Sequence, residues 1–222
     1  MRVAAFETSG DWCSVALADG ADVRGREVRA GTRHSALALP MLQALLAEAG
    51  MRPSQLDAVA FGAGPGSFTG LRIACGLAQG LALARDLPVL GISTFEAIAE
   101  ESGAARVAAC IDARMREVYY AALEKQRGQW VEVLSARCVP PRDVPAPKGE
   151  GWVGCGSGFA AFPDLLIGSL SAVRPDVHPT AIAIAELAAP RLAAGEGVDA
   201  ALALPVYLRD KVALTRQELE AR

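Results

Sequence analysis

Residues 57–85, DAVAFGAGPGSFTGLRIACGLAQGLALAR, constrain this chain more than any other stretch. A short apolar run at 58–61 reads as a strand, and Gly62, Gly64, Pro65 and Gly66 form a loop after it. The pattern then predicts a helix over 67–84 whose strongly polar side chains are Thr69, Arg72 and Gln79. A helix that is apolar nearly all round must be covered on more than one side. A membrane span is excluded, because the segment is short, contains three glycines and carries Arg72. Gly66, Gly70, Ala74, Ala78 and Ala82 recur every four residues and so share one face. A row of small side chains lets another backbone approach closely. Ile73, Leu77 and Leu81 form a second row, bulky enough to fill a core. Two arrangements meet this pattern: one side on the chain's own sheet and the other on a second protein, or a helix enclosed within one molecule. The stretch alone leaves both open.

Composition narrows the function classes. The chain has 222 residues, 52% hydrophobic, which suits one large domain or two small ones with a sizeable core. A net charge of -3 and 5% aromatics exclude an overall nucleic-acid-binding character, which needs a basic face or stacking rings. Five scattered cysteines without a CxxC pair fit neither a disulfide framework nor a Cys-rich zinc site, and read as buried thiols in a reducing cytosol. The opening residues read as a strand, without the basic and long apolar regions of a signal peptide. A cytoplasmic protein is therefore expected.

Three short strands are predicted at 1–7, 13–18 and 23–28, close enough in sequence to form antiparallel hairpins. The turn after the first contains Thr8 and Ser9, whose hydroxyls and backbone N–H groups suit a phosphate and equally suit any tight turn. Ser35 is the expected N-cap of a helix stopped by Gly50, with Leu37, Met41 and Leu45 on one stripe and Pro40 near its start. This helix also carries more apolar surface than one sheet face needs, which points to an interaction surface. A strand at 88–92 and a helix capped by Ser93 or Thr94, with Glu96 assisting, complete a βαβ pattern with a right-handed crossover.

A second strand set begins at 106–111, followed by strands at 117–123 and 130–134 and a Pro-rich loop over 140–149. Gly154, Gly156 and Gly158 make a GxGxG turn with only part of a nucleotide fingerprint's context. Thr180 caps a final helix, residues 205–208 read as an edge strand, and the charged tail from Lys211 reads as mobile. No internal sequence repeat is visible. The boundary is expected near 102–105, giving an N-terminal lobe, 1–103, and a C-terminal lobe, 104–222.

Motifs for chemistry are scarce. The histidines, His34 and His178, lie far apart and outside any HExxH, while a catalytic zinc needs about three protein ligands. Neither a nucleophile elbow nor a P-loop is present, although a triad assembled in space is not excluded by spacing.

ETSGDWCSVALADG (7–20), RHSALALPMLQALL (33–46), GAGPGSFTGLRIACGLAQGLA (62–82) and DARMREVYYA (112–121) resemble the bacterial TsaB (YeaZ) family, in order and most specifically in the first half. The resemblance implies an α/β, actin-like (ASKHA, ribonuclease H-like) fold of two lobes with mixed sheets flanked by helices. It implies a non-catalytic scaffold or activator in forming N6-threonylcarbamoyladenosine at position 37 of tRNA, bound to the catalytic paralogue TsaD and joined by the ATPase TsaE. TsaD has NHMEAH where this chain has Ser93-Thr94-Phe95-Glu96-Ala97-Ile98, so Thr94 and Ile98 stand at its two metal-binding histidines. Ile cannot coordinate a metal and Thr does so poorly. No cofactor of its own is expected; ATP and a divalent metal belong to the partner subunits, and tRNA is reached through the complex.

The expected partner surface comprises Leu37, Met41, Leu45, Phe68, Gly70, Arg72, Ala74, Cys75, Ala78 and Gln79, with Arg72 and Gln79 setting register. The same patch serves a homodimer in the partner's absence. The competing reading is a small actin-like ATPase or kinase contacting nucleotide through Thr8, Ser9, Gly64, Gly66 and Ser67. A glycoprotease reading ranks last for want of metal ligands.

Overall fold

The structure, a computed structural model, describes residues 1–209; the expected tail from Lys211 lies outside the described residues. Its elements run β1 (Arg2–Glu7), β2 (Trp12–Asp19), β3 (Asp22–Arg29), α1 (His34–Glu48), β4 (Ala58–Gly64), α2 (Phe68–Leu83), β5 (Val89–Ser93) and α3 (Thr94–Ser102). The second half continues with β6 (Arg106–Asp112), β7 (Val118–Gln126), β8 (Gln129–Val139), β9 (Val153–Cys155), α4 (Ser157–Ala161), β10 (Ala172–Arg174) and α5 (Ala181–Ala193).

The first sheet has the order β3-β2-β1-β4-β5 and the second β10-β9-β6-β7-β8. In each, three strands form an antiparallel meander, and a fourth and fifth join in parallel beside the first. The second sheet thus repeats the plan of the first, although the sequence shows no repeat. This is the actin-like, two-lobed arrangement.

Helices α1 and α2 cover one face of the first sheet and α5 the other. Helix α3 bridges the lobes: Ala97 packs with the first sheet and α5, while Phe95, Ile98 and Ala99 pack on the second sheet. Ser93 caps α3, its hydroxyl accepting the Phe95 N–H at 3.2 Å, and Glu96 turns back towards the Ser93 N–H. Glu96 also accepts from Arg191 of α5 at 3.3 Å.

Several expectations need correction. Ser35 is not the cap of α1. The helix starts at His34, and Arg33 holds the cap position without a side-chain bond because the chain enters through a turn closed from Arg33 N to Ala30 O. Residues 205–208 form no strand; one bond, Val206 N–H to Ala63 O at 2.7 Å, ties them to β4. A cut at 103/104 separates the two sheets, but α5 and the turn at Ala200–Leu202 return to pack on the first. Helix α4 and strand β10 were not legible in the sequence, being only five and three residues long.

The two rows of α2 exchange the roles expected of them. Ala74, Ala78 and Ala82 are buried against Phe6, Val59 and Phe61 of the chain's own sheet. Gly70 sits on the Thr8 carbonyl and Gly66 on Ser9, with no room for a Cβ at either. Large side chains in the sheet meet small ones on the helix, and the fit brings the two backbones together. The bulky row of Ile73, Leu77 and Leu81 is left half-exposed.

Gly70→Ala should drive a methyl into the Thr8 carbonyl and lower stability by about 1–3 kcal/mol. Gly80→Ala, where a Cβ meets open space, should raise it by about 0.5–1 kcal/mol. Urea unfolding of both variants checks the pair; equal effects would refute this account of the helix.

Candidate functional site

Two regions carry functional potential: the outer surface of α1 and α2, and the cleft between the lobes.

On the helical surface, the structure divides the expected partner residues into two groups. Leu45, Gly70, Ala74, Cys75 and Ala78 are buried in the chain's own core, Leu45 at 2% exposure and Ala78 at 0%. They are not available to a partner, because the small-residue face is the one that docks on the sheet. Leu37, Met41 and Gln79 are half-buried, and Phe68 and Arg72 are exposed. Arg72 and Gln79 do fix a register, but an internal one. Gln79 Nε2 donates to Ala203 O at 3.0 Å, and Arg72 Nε donates to Tyr207 Oη at 3.1 Å while its guanidinium lies 3.8 Å over the Phe68 ring. Residues 203–207 therefore form a strap along one flank of α2. The strap ends at Arg209, which donates to Ala113 O and Glu117 in the second lobe.

What remains open on α2 was not singled out from the sequence. Gly76 and Gly80 are exposed, one helical turn apart, with nothing within 4 Å of a hypothetical Cβ. Beside them Leu77 is half-buried, and Leu37, Met41 and exposed Leu39 belong to neighbouring α1. The signal was in the sequence, since Gly76 and Gly80 are also four apart; a longer small-residue row obscured it.

The cleft, about 970 Å³, lies beyond the C-terminal ends of β1, β4, β5 and β6. Crevices at such strand ends are the usual ligand positions of α/β sheets. The residues expected to contact nucleotide do meet here, but they satisfy one another. Thr8 Oγ1 donates to Gly70 O at 2.7 Å, Ser67 N–H to Ser9 O at 2.7 Å, and Gly70 N–H to Ser67 Oγ at 3.3 Å. Gly66 packs on Ser9, and Gly64 faces the Val206 carbonyl of the strap. The Thr8 hydroxyl is thus spent within the chain. In the second lobe Gly156 and Gly158 pack against Cys110 in the same way, and the Ser157 hydroxyl accepts the Asp112 N–H.

Glu7 is the unexpected feature. It is 1% exposed, its Oε1 accepts the Ser9 N–H, and its Oε2 has no partner. The carboxylate lies where a side chain on Gly62 would be. Burial raises its pKa to about 7, against the lowering effect of the Ser9 hydrogen bonds and of nearby His178. Thr94 and Ile98, at the positions where the paralogue carries histidines, also line the cleft, each 1% exposed. Among the described residues no three His, Cys, Asp or Glu side chains converge as a metal site, and no helix is long and apolar enough to cross a membrane. All five cysteines are free, and burial pushes Cys13 up to about 11 and Cys110 up to about 12, which leaves them protonated.

Comparison with known proteins agrees with this architecture. A family model described as TsaD, tRNA N6-adenosine threonylcarbamoyltransferase, matches residues 28–215. The tRNA threonylcarbamoyladenosine biosynthesis protein TsaB of Escherichia coli is 39% identical, the alignment covering 96% of each chain. The Haemophilus influenzae protein of the same name is 36% identical over 96% of this chain and 95% of its own. The chain belongs to the TsaB family. Solved structures extend the likeness: YeaZ from Pseudomonas aeruginosa superposes with a TM-score of 0.87 at 40% identity, covering 93% of this chain and 99% of its own. A second P. aeruginosa structure, of a protein described as similar to the peptidase YEAZ, gives 0.89 at 40% identity, covering 94% and 99%. Within the TsaB family fold, the feature to explain in the cleft is thus the buried acid with one unpaired oxygen.

The raised pKa of Glu7 has a signed consequence. Below 4.5 the carboxyl is protonated folded or unfolded; between 4.5 and about 7 only the unfolded chain ionises, so stability falls as pH rises. The loss is complete above about 7 and amounts to about 3 kcal/mol. Glu7→Gln should flatten this part of the profile and exceed the wild type in stability at pH 8, measured by urea unfolding across that range. Superimposable profiles would mean that Glu7 is not buried as described.

Proposed function

We propose that this chain is a non-catalytic partner subunit in forming threonylcarbamoyladenosine at position 37 of tRNA. It binds a TsaD-type catalytic paralogue through the outer faces of α1 and α2, and a TsaE-type ATPase joins the pair. Membership of the TsaB family, whose relatives are named for this biosynthesis, supports the reading.

The observation that carries it is the open face of α2. Gly76 and Gly80 leave the helix backbone bare beside half-buried Leu77. A glycine inside a helix weakens it by about 0.5–1 kcal/mol relative to alanine. Two of them, one turn apart and facing outward, make sense where another backbone comes close. The same face would pair with its own copy when the paralogue is absent, since a two-fold contact uses one patch twice. Thr94 and Ile98 in place of metal ligands support an accessory role. On this reading ATP and the divalent metal belong to the partner subunits, and tRNA is met through the complex. An actin-like ATPase has less support, because the Thr8 hydroxyl it would use donates to Gly70 O.

Leu77→Glu and Met41→Glu place charge on this face at half-buried side chains that pack on the edge of the core. Each should lower stability by about 1 kcal/mol and still fold cooperatively in urea unfolding. Each should weaken capture of the paralogue by about tenfold or more, and lower tRNA modification in a reconstituted assay accordingly. Undiminished capture by both folded variants would place the surface elsewhere.

A further inference from the structure

We propose that the strap along α2 is the second wall of a docking groove, and that the groove takes a helix of the paralogue whose contact stripe carries large aliphatic side chains. The inference rests on the reading that the paralogue binds the outer faces of α1 and α2, and it extends that surface to residues 202–204.

The strap turns large aliphatic side chains to solvent. Ala203 is extended and buried, and its carbonyl accepts from both Cys75 and Gln79 of α2. Neighbouring residues of an extended segment point away from the side that is buried. Leu202 and Leu204 accordingly stand outward, each 70% exposed. Leu83 of α2, 64% exposed, continues the row at one end, where it lines a small hollow with Val198 and Ala200. Exposed Tyr207 and Phe68, their rings 5.3 Å apart, continue it at the other. On the order of 500 Å² of apolar side chain lies open along this line, a patch size that is often functional on a monomer.

Helix geometry places this row beside the open glycines. At about 100° per residue, Cys75, Gln79 and Arg72, which hold the strap, fall to one side of Gly76 and Gly80. Half-buried Ile73 and Leu77 fall to the other. The two glycines are exposed, and nothing lies within 4 Å of a hypothetical Cβ on either. Helix α2 therefore offers a floor without side chains between two apolar banks.

The chemistry of the banks selects the occupant. Charged residues make up 21% of the chain, yet residues 200–208 include none, α2 carries only Arg72, and α1 only Glu48 at its last position. Arg72 is already engaged by Tyr207 and Phe68. An apolar centre depleted of charge is the composition of a protein–protein contact, and it gives a polyanion nothing to grip. The floor is itself a helix, with its backbone groups bonded internally. An incoming strand would leave its own N–H and C=O groups unpaired there, whereas a helix arrives with its backbone satisfied. Aliphatic side chains three or four positions apart on that helix would reach both banks. Area argues for including the strap. Glycines and half-buried side chains alone offer little, and the roughly 500 Å² along the row supplies much of the about 800 Å² that each side of a stable contact buries. The TsaD family model matches residues 28–215, a range that takes in α1, α2 and the strap, so the paralogue has helices of the same plan to present.

Calorimetric titration of the full chain with the purified paralogue tests this. Leu202→Glu and Leu204→Glu change only exposed side chains, so the urea midpoint should stay at the wild-type value while affinity falls about tenfold or more. Gly80→Ala should raise the urea midpoint, because its methyl meets open space, and still weaken binding about tenfold, because the methyl occupies the floor. Ile167→Glu, at a side chain 72% exposed between α4 and β10, should leave affinity unchanged. Wild-type affinity in Leu202→Glu and Leu204→Glu, with Leu77→Glu impaired, overturns the role of the strap and leaves the wider reading in place. Wild-type affinity in Leu77→Glu and Met41→Glu as well overturns both. Gly80→Ala binding at wild-type strength, or Ile167→Glu weakening binding as much as Leu204→Glu, overturns the groove.

Discussion

The close seat of α2 on the first sheet is the contact on which the rest depends. Phe6 and Phe61 stand up from the strands, and Ala74, Ala78 and Ala82 make room for them. At the helix start Gly70 rests on the Thr8 carbonyl, and Ser67 and Ser9 are joined by a hydrogen bond. This single fit has two effects. It spends the small-residue face inside the molecule. It also turns Gly76 and Gly80 outward, with half-exposed Leu77 between them.

The strap along α2 follows from the same placement. Cys75 and Gln79 both donate to Ala203 O, and Arg72 reaches Tyr207. Arg72 and Gln79, polar side chains of an otherwise apolar helix, are thereby satisfied within the chain. Buried or half-buried polar groups without partners are costly, so a helix this greasy carries polar residues only where a specific acceptor waits. The strap continues to Arg209, whose bonds to Ala113 O and Glu117 tie its end to the second lobe. Helix α3, with residues in the cores of both lobes, is the other tie.

Within that frame Glu7 is the residue that breaks the pattern of satisfaction. Neighbouring side chains in the turn find partners inside the chain, while its carboxylate is buried over Gly62 with one oxygen unpaired. Burial this complete favours the neutral acid, and a cationic partner would reverse that preference.

Local and pattern-level features were legible in the sequence. The strands of the first lobe, the long apolar helix, Ser93 as one of two cap candidates and the Thr180 cap all follow from turn chemistry, periodicity and capping, which act over a few residues. The motifs of residues 7–82 carried the family as well. The direction each face of α2 takes was not legible, because small and bulky rows are both compatible with a core until the side chains of the opposing sheet are known. Nor was the duplication of the two sheets, which is a matter of strand order and needs no shared residues. The return of α5 to the first sheet and the isolation of Glu7 depend on contacts between residues far apart in the chain. Sequence patterning determines which elements form and which side of each is apolar; only packing in three dimensions decides which apolar side is covered, and which polar group is left without a partner.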